Sequence, residues 1–215
     1  MARTVDTEAH AVRREAFVDA ALRLMQAKGY DQMSIQDVLD ELDASRGAFY
    51  HYFDSKTALL EAVVTRIVDA ALASVTPIVE DPALDAKAKL EGFFGGIAQW
   101  KTERTDENTL LRDKMWRHLM LRLAPQLAAI LRQGADEGVF AVGSPDNTAR
   151  VLVALLRGLN DLAVRTFVER DESGAPLAEV QAMLAAYIEA MERILGVPAG
   201  TLTLVDEGVL QEWYA

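Results

Sequence analysis

Apolar residues return every three or four positions through most of the chain, which is typical of α-helices that bury one face. The shortest clear example runs from Ile35 to Leu42. Ser34 precedes it as a candidate N-cap, and Asp37, three residues later, is placed to complete a capping box. The pattern predicts a short amphipathic helix whose apolar positions are Ile35, Val38, Leu39 and Leu42.

A second short helix follows after a tight turn at Asp43. Ser45 is again a capping residue, and the segment it opens extends to about Tyr52. The helical period places Phe49 and Phe53 on the buried side. The opposite side carries Arg46, Gly47, Tyr50 and His51.

Helices are also predicted on either side of this pair. Ser55 caps the next helix, with Lys56 in its first turn, where a cation opposes the helix dipole and a nearby phosphate would explain it. Upstream, an apolar stripe from Phe17 to Leu24 predicts a helix of about 18 residues that stops at Gly29. These segments together predict a three-helix bundle with a helix-turn-helix. In such a unit the second helix of the turn enters the DNA major groove.

The phrase AFYHYFDSKTALLEAV makes the segment similar to the DNA-binding region of the TetR family of bacterial transcriptional regulators. The resemblance covers roughly residues 12 to 66. It implies a homodimer that binds palindromic operator DNA and is released when a small molecule occupies the C-terminal domain. Asp43 departs from the family pattern, because it stands at the turn where the family usually has glycine.

The resemblance also implies roles for individual residues. Tyr50 and Lys56 would contact phosphates, and Gln36 would approach DNA from the helix before the turn. The residues carried over to the recognition helix are Ser45, Arg46, Gly47 and His51.

The rest of the chain is predicted to be helical as well, with boundaries set by proline, glycine and capping residues. The helix that begins at Ser55 would connect the DNA-binding head to the body. The predicted boundaries are Ser55 to about Val75 before Pro77, Leu84 to Glu103, a stretch ending at Leu123 with Pro125 opening a new turn, Ser144 to Glu169, and Pro176 to Gly196.

The middle helices hold candidate effector-binding residues, because they combine aromatic, methionine and glycine residues. Gly92, Gly95 and Gly96 disfavour a helix, so either close helix contact or space beside a ligand must compensate. Asn160 and Asp161 interrupt an apolar helix and could orient a polar group of an effector. The alternative is that Asp161 is there to pair with Arg157, four residues earlier. The candidates are Phe93, Phe94, Ile97, Trp100, Met115, Trp116, His118, Asn160 and Asp161.

The last long helix carries an apolar stripe with the spacing of a packed helix pair. One interpretation is that it pairs with its copy across a two-fold axis, and the other is that it belongs to the core of a single chain. The candidate interface residues are Leu177, Val180, Leu184, Tyr187 and Met191. The tail from residue 201 to 215 is expected to dock on the body.

Charge and composition narrow the function classes. The 215 residues carry a net charge of −11, and residues 1–66 hold 8 basic against 11 acidic side chains, so only local charge can attract DNA. The chain has no cysteine, and its three histidines lack metal-ligand spacing, so neither a metal site nor a cofactor is expected. No catalytic motif is present and an enzyme is not expected. No secretory signal or 18-residue uncharged stretch is seen, so we expect a cytoplasmic protein without membrane contact.

The sequence therefore predicts an all-α protein with two domains. Residues 1–54 would form the DNA-binding helix-turn-helix domain with its N-terminal arm, and residues 55–215 a larger helical domain for effector binding and dimerisation. The expected partners are operator DNA, an apolar or aromatic small molecule and a second copy of the chain. The alternative is a helical interaction or ligand-sensing module that no longer binds DNA specifically.

Overall fold

A computed structural model describes residues 2–98, 109–168 and 177–203, with side chains for residues 8–97, 114–159, 178–179 and 181–203. Its described residues form α-helices and connecting turns without a strand, and the predicted all-α class is confirmed. The helices are α1 (Ala2–Gln32), α2 (Ile35–Leu42), α3 (Arg46–Tyr52), α4 (Lys56–Glu80), α5 (Ala86–Ala98), α6 (Thr109–Asp136), α7 (Pro145–Val168) and α8 (Leu177–Leu195).

The backbone divides into two compact units. One comprises Met1–Asp69 and Thr102–His118, and the other comprises Ala70–Lys101 and Leu119–Ala215. The predicted functional division after residue 54 is a different statement, since it concerns which residues read DNA, and it stays a prediction.

Helix α1 is longer than the predicted 18 residues. Gly29 interrupts it at the expected place, with φ 77° and ψ 159°, and one more turn follows before Met33. The helix begins at Ala2 because the polar residues before position 12 include neither glycine nor proline, so nothing in this stretch breaks a helix.

Two predicted helix ends are wrong. Pro77 lies inside α4 and Pro125 lies inside α6, although proline was expected to end both segments. Each proline leaves one carbonyl without its helical donor, that of Ala73 and that of Leu121. Both of those residues are exposed, Leu121 by 70%, so water can replace the missing donor at little cost and each helix continues.

Helix α5 begins at Ala86, two residues after the predicted start. Asp85 caps it, since its Oδ1 accepts a hydrogen bond of 2.7 Å from the backbone N–H of Ala88. The predicted end at Glu103 lies outside the described residues. Helix α7 begins directly after Ser144, as predicted. Helix α8 ends just before Gly196, also as predicted, and Gly196 has φ 69°.

The glycines of α5 have different surroundings. A methyl group at Gly92 would lie 2.9 Å from Cγ2 of Ile78, and one at Gly96 would lie 3.0 Å from Cγ1 of Val75. Close contact with α4 therefore explains these two glycines. A methyl group at Gly95 would have no atom within 4 Å beyond its own helix, so contact does not explain that one.

Helix α4 is the one described helix that is long and apolar enough to resemble a membrane span by composition, with a mean hydropathy of 1.6 over 18 residues. Protein packing accounts for much of this character. Leu59, Leu60, Val63 and Val64 are all fully buried within the first compact unit. The helix therefore has the apolar face of a core helix.

Phe140 folds back over the end of α6. Its backbone N–H and that of Val139 both donate to the carbonyl of Gly134, at 3.0 and 2.8 Å, and Gly138 has φ 72°. The Phe140 ring, 4% exposed, covers the α-carbon of Gly134 so closely that a methyl group there would lie 2.0 Å from Cδ2. Only glycine fits under the ring.

We expect opposite effects from two glycine-to-alanine changes. Gly134→Ala should lower the free energy of unfolding by about 1–3 kcal/mol, because the Phe140 ring must move. Gly95→Ala should raise it by about 0.5–1 kcal/mol, because the methyl group meets no neighbour and alanine favours the helix. Urea denaturation of both variants measures these changes. If Gly95→Ala lowered the free energy of unfolding, the space beside Gly95 would not be open to a methyl group, and the prediction would be wrong.

Candidate nucleic-acid interface

The helix-turn-helix begins with a complete capping box at α2. The Ser34 Oγ accepts a hydrogen bond of 3.1 Å from the backbone N–H of Asp37, and the Asp37 Oδ2 accepts one of 2.6 Å from the backbone N–H of Ser34. Val38 and Leu39 are buried on the inner face, as the spacing predicts. The start and rotation of α2 are thereby determined by its own sequence.

Asp37 also joins α2 to α1. The Lys28 Nζ lies 2.8 Å from its Oδ1, and the Ser34 hydroxyl donates to its Oδ2 at 2.7 Å. The hydrogen bond from Lys28, followed by those from the backbone and hydroxyl of Ser34, lowers the pKa of the Asp37 carboxyl well below its usual range. The carboxylate is therefore ionised at all physiological pH values.

The turn forms although glycine is missing from it. Asp43 adopts the left-handed conformation, with φ 47° and ψ 49°, and it is the one described non-glycine residue with positive φ. The backbone N–H of Ala44 donates to the carbonyl of Leu39 at 2.9 Å, which closes the end of α2. Aspartate tolerates this conformation better than most residues, but unlike glycine it has a Cβ atom. The turn therefore forms at some cost in backbone strain.

Aromatic packing determines the orientation of α3. Ser45 caps the helix by accepting a hydrogen bond of 3.2 Å from the backbone N–H of Ala48. Phe49 is fully buried, with its ring centroid 5.8 Å from that of Phe17 in α1, and Phe53 is 4% exposed. The inner side of α3 is thus held against α1, and the other side faces solvent.

The predicted DNA-contacting residues lie mostly on that solvent side. Ser45, Arg46, Gly47, Tyr50 and His51 are all exposed, with Tyr50 54% exposed. An exposed tyrosine next to a buried phenylalanine is available to a ligand on this face. Whether each residue contacts DNA stays a prediction.

Two further predicted contacts have partners within the chain. Gln36 is exposed on α2, and its Nε2 donates to Oδ1 of Asp40 at 2.7 Å. Lys56 lies with its Nζ 4.1 Å from the centroid of the Tyr30 ring. This cation–π contact accounts for a lysine in the first turn of α4 without a phosphate, and it also holds the ammonium in a defined place.

Four of the eight cations in residues 1–66 are paired with acids of the same segment, so their charge is neutralised locally. Arg46 is exposed, and no ion pair, hydrogen bond or ring contact joins it to a residue that the structure describes. The net negative charge of the head therefore overstates the negative charge of the α3 face. The pairs are Arg14 with Glu15 (3.0 Å), Arg23 with Glu41 (2.6 Å), Lys28 with Asp37 (2.8 Å) and Arg66 with Asp19.

Sequence reasoning missed His10. Its ring lies 5.2 Å from that of His51 and 4.6 Å from that of Tyr52, so α1 contributes a side chain beside the exposed face of α3. The signal was present, because His10 precedes Phe17 by seven residues and therefore shares its helix face.

The predicted effector residues fall in different units. Phe93 and Phe94 are buried in the unit that contains α5, with Ile97 partly exposed, whereas Met115 and Trp116 are buried in the unit that contains α3. The Nε2 of His118 lies 3.4 Å from Oε2 of Glu61, which also pairs with Lys114. Trp100 and the side chains of Asn160 and Asp161 lie outside the described residues.

The predicted dimer stripe packs within one chain where it is described. Leu184 and Met191 are 8% and 1% exposed in the single chain. A methyl group at Gly158 of α7 would lie 2.9 Å from the Tyr187 hydroxyl, so α7 and α8 approach closely there. The side chains of Leu177 and Val180 lie outside the described residues.

Comparison with known proteins identifies the helix-turn-helix. The sequence profile of bacterial regulatory proteins of the tetR family matches residues 17–63, which include the Phe17–Phe49 contact, the turn and the start of α4. This segment of the chain is similar to the TetR family. The predicted resemblance is confirmed.

Individual relatives agree with this assignment. An HTH-type transcriptional regulator of Lactococcus lactis is 34% identical over 92 residues, covering 41% of this chain and 47% of the relative. This chain therefore spans about half the length of that relative. The HTH-type transcriptional regulator EthR of Mycolicibacterium smegmatis is 24% identical over 183 residues, covering 80% and 82% of the two chains.

Solved structures of TetR-family regulators share the fold over most of the chain. A TetR transcription regulator from Haloarcula marismortui superposes with a TM-score of 0.61 and 22% identity, covering 84% of this chain and 98% of that chain. At this identity the likeness concerns the fold alone.

Acid should remove the contribution of Asp37 to stability. Because its folded pKa is depressed, the carboxylate stabilises the head at any pH above the unfolded value of about 4, and this is lost as pH falls through the folded pKa. Thermal melts of Asp37→Asn should give a lower melting temperature than wild type at pH 7 and a smaller difference at pH 2. The exposed Asp31→Asn serves as the matched control. A difference that stays constant with pH would contradict the assignment.

Replacing Asp43 separates backbone strain from charge. Asp43→Gly should raise the free energy of unfolding by about 1 kcal/mol, because glycine adopts positive φ without strain, and Asp43→Ala should lower it. Asp43→Asn removes the charge but keeps a residue that tolerates this conformation, so its stability should stay within about 0.5 kcal/mol of wild type. Urea denaturation tests the order glycine, then aspartate and asparagine, then alanine.

Proposed function

We propose that this chain is a transcriptional regulator that binds operator DNA through α3 and is released by a small-molecule effector. The observation that carries the proposal is the two-sided character of α3. Phe49 holds one side against the bundle, and Arg46, Gly47, Tyr50 and His51 form a continuous exposed side. A short helix held in this way is what major-groove reading requires. The match of residues 17–63 to the tetR-family profile and relatives that are named as regulators support the same function.

The proposed contacts divide into base and phosphate contacts. Arg46 is the candidate for base recognition, because it is exposed and unpaired among the described residues, and arginine reads guanine through two hydrogen bonds. Tyr50 and Lys56 are the candidates for phosphate contact, with Lys56 held in place over the Tyr30 ring. Ser45, Gly47, His51 and Gln36 complete the surface.

A homodimer is part of the proposal, since two copies of α3 would then reach successive major grooves of a palindromic operator. The described parts of α7 and α8 leave apolar side chains uncovered for this purpose. Val151 is 50% exposed, and Ala178, Ala182 and Ala185 are exposed on α8. Because Leu184 and Met191 are already buried, we assign the dimer contact to the exposed residues beside the predicted stripe.

The effector is proposed to be an apolar or aromatic compound that binds near Phe93, Phe94 and Ile97. It would act by favouring a conformation of the dimer that fits the operator poorly, to the extent of its differential affinity for that conformation. We infer repression, because a dimer bound over a promoter blocks polymerase. The proposed location is the cytoplasm, where the operator is, and no catalytic activity is assigned.

The alternative is a helical interaction module that no longer binds DNA, which the acidic charge of the head favours. It predicts no preference for any DNA sequence. Fluorescence anisotropy with the DNA upstream of the chain's own coding sequence, and with a scrambled duplex of the same composition, distinguishes the two functions. Measurement at two salt concentrations reports the number of phosphate contacts.

Point variants assign the individual roles. Arg46→Ala should cost about 1–3 kcal/mol of binding free energy on operator and much less on scrambled DNA, because a base contact is lost. Lys56→Ala and Tyr50→Ala should weaken both duplexes alike, and Lys56→Ala should reduce the salt slope by about 1. Lys87→Ala, on α5 and paired with Glu91, is the matched control and should bind as wild type. If all four variants bound operator and scrambled DNA with the affinities of wild type, the proposed interface would be rejected.

A further inference from the structure

One buried polar atom in the second compact unit makes no hydrogen bond with the described residues. The Oε1 of Gln126, in α6, is shut off from solvent and has no hydrogen-bond donor among the described residues. A buried acceptor without a donor is costly, and in native proteins such an atom calls for an explanation. Gln126 was not singled out by any sequence pattern.

The orientation of the Gln126 amide follows from its neighbours. Its Nε2 donates to Oγ1 of Thr76 at 3.1 Å, and the Thr76 hydroxyl donates its one hydrogen to the carbonyl of Leu72 at 2.9 Å. If the amide were turned over, its carbonyl oxygen would face the Thr76 oxygen, which has no hydrogen left to give. Thr76 therefore fixes Oε1 on the side away from itself.

The position of this pair along α4 matches that of the apolar candidates on α5. Gly92 lies against Ile78 and Gly96 lies against Val75, so the stretch of α5 between them runs alongside Thr76. Phe93 and Phe94 belong to this stretch, and Gly95 has open space where a side chain would be. An apolar surface, open space and an acceptor without a donor thus occur at one level of the unit.

We propose that Gln126 is a specificity residue of the effector site and that the effector carries an N–H or O–H group that donates to its Oε1. The inference rests on the proposed function, because it names the ligand class of the same site. The ligand class is a mainly apolar or aromatic molecule with one hydrogen-bond donor. Thr76 is a positioning residue, since it acts by holding the amide.

Matched pairs of small aromatic probes test this preference. Isothermal titration of the full chain would compare indole with 1-methylindole, benzyl alcohol with benzyl methyl ether, and aniline with N,N-dimethylaniline. Each pair differs by methylation of the donor. Wild type should bind the donor of at least one pair about tenfold more tightly than its methylated partner. No preference in any pair, or no binding of any donor, would overturn the proposal.

Variants assign the preference to one atom. Gln126→Leu should bring the ratio within about twofold, and its melting temperature should not fall below that of wild type, because the unpaired oxygen is removed. Gln126→Glu keeps an acceptor and should retain the preference, Thr76→Val should reduce it, and Gln32→Leu, at an exposed glutamine of α1, should leave it unchanged. A preference that survives Gln126→Leu would overturn the assignment.

The operator titration separates this inference from the proposed function. Specific operator binding by the same wild-type preparation, without a donor preference, rejects the role of Gln126 and leaves the regulator intact. A donor preference without operator binding leaves a ligand-sensing module.

Discussion

The contact between Phe17 and Phe49 determines which side of α3 is exposed to solvent. Phe49 is one of seven residues in α3, a helix too short to be stable alone, so its rotation depends on what its buried side touches. With Phe49 and Phe53 inside, the helical period leaves Arg46, Tyr50 and His51 outside. A change that loosened this aromatic cluster would therefore alter the whole exposed face at once. The capping residues and the turn define where the helices start, but the cluster defines which way α3 faces.

Local charge pairing reconciles an acidic chain with a proposed DNA surface. Phosphate attracts the cations that remain available near it, and distant charges are screened within about 8–10 Å at physiological salt. Four acids of α1 and α2 are paired with arginines and lysines of the same bundle, as in the pairs Arg23–Glu41 and Lys28–Asp37. The net charge of residues 1–66 does not show where these pairs lie. DNA would respond to the local charge of the exposed α3 face, which is a small part of that segment.

Features encoded within four residues of chain were predictable from the sequence. The capping residues Ser34, Ser45 and Ser55 all act as expected, because a cap depends on the residue and the next three positions. Pro77 and Pro125 were misjudged for the complementary reason. Whether a proline ends a helix depends on whether the carbonyl it leaves free can reach water, and that is decided by tertiary packing.

The candidate sites show the same limit. The exposed side of α3 followed from helical period alone, whereas the Lys56–Tyr30 contact joins residues far apart in sequence, and no local pattern predicts it. Gln126 is the extreme case, since a glutamine in a helix is ordinarily a surface residue.

The arrangement of α4 gives the proposed regulation a physical route. The helix carries Lys56 near its start and Thr76 near its end, and helical backbone connects them without a described break. A ligand that changes the position of Thr76 by binding Gln126 therefore acts on the helix that also bears a proposed phosphate contact. Such coupling requires that the ligand prefer one of two arrangements of α4, because a ligand with equal affinity for both shifts nothing. Pro77 lies next to Thr76, and a helix that lacks one backbone hydrogen bond there bends more easily than an unbroken one. The positions of Pro77 and Gln126 thus favour a response of α4 at this level of the unit.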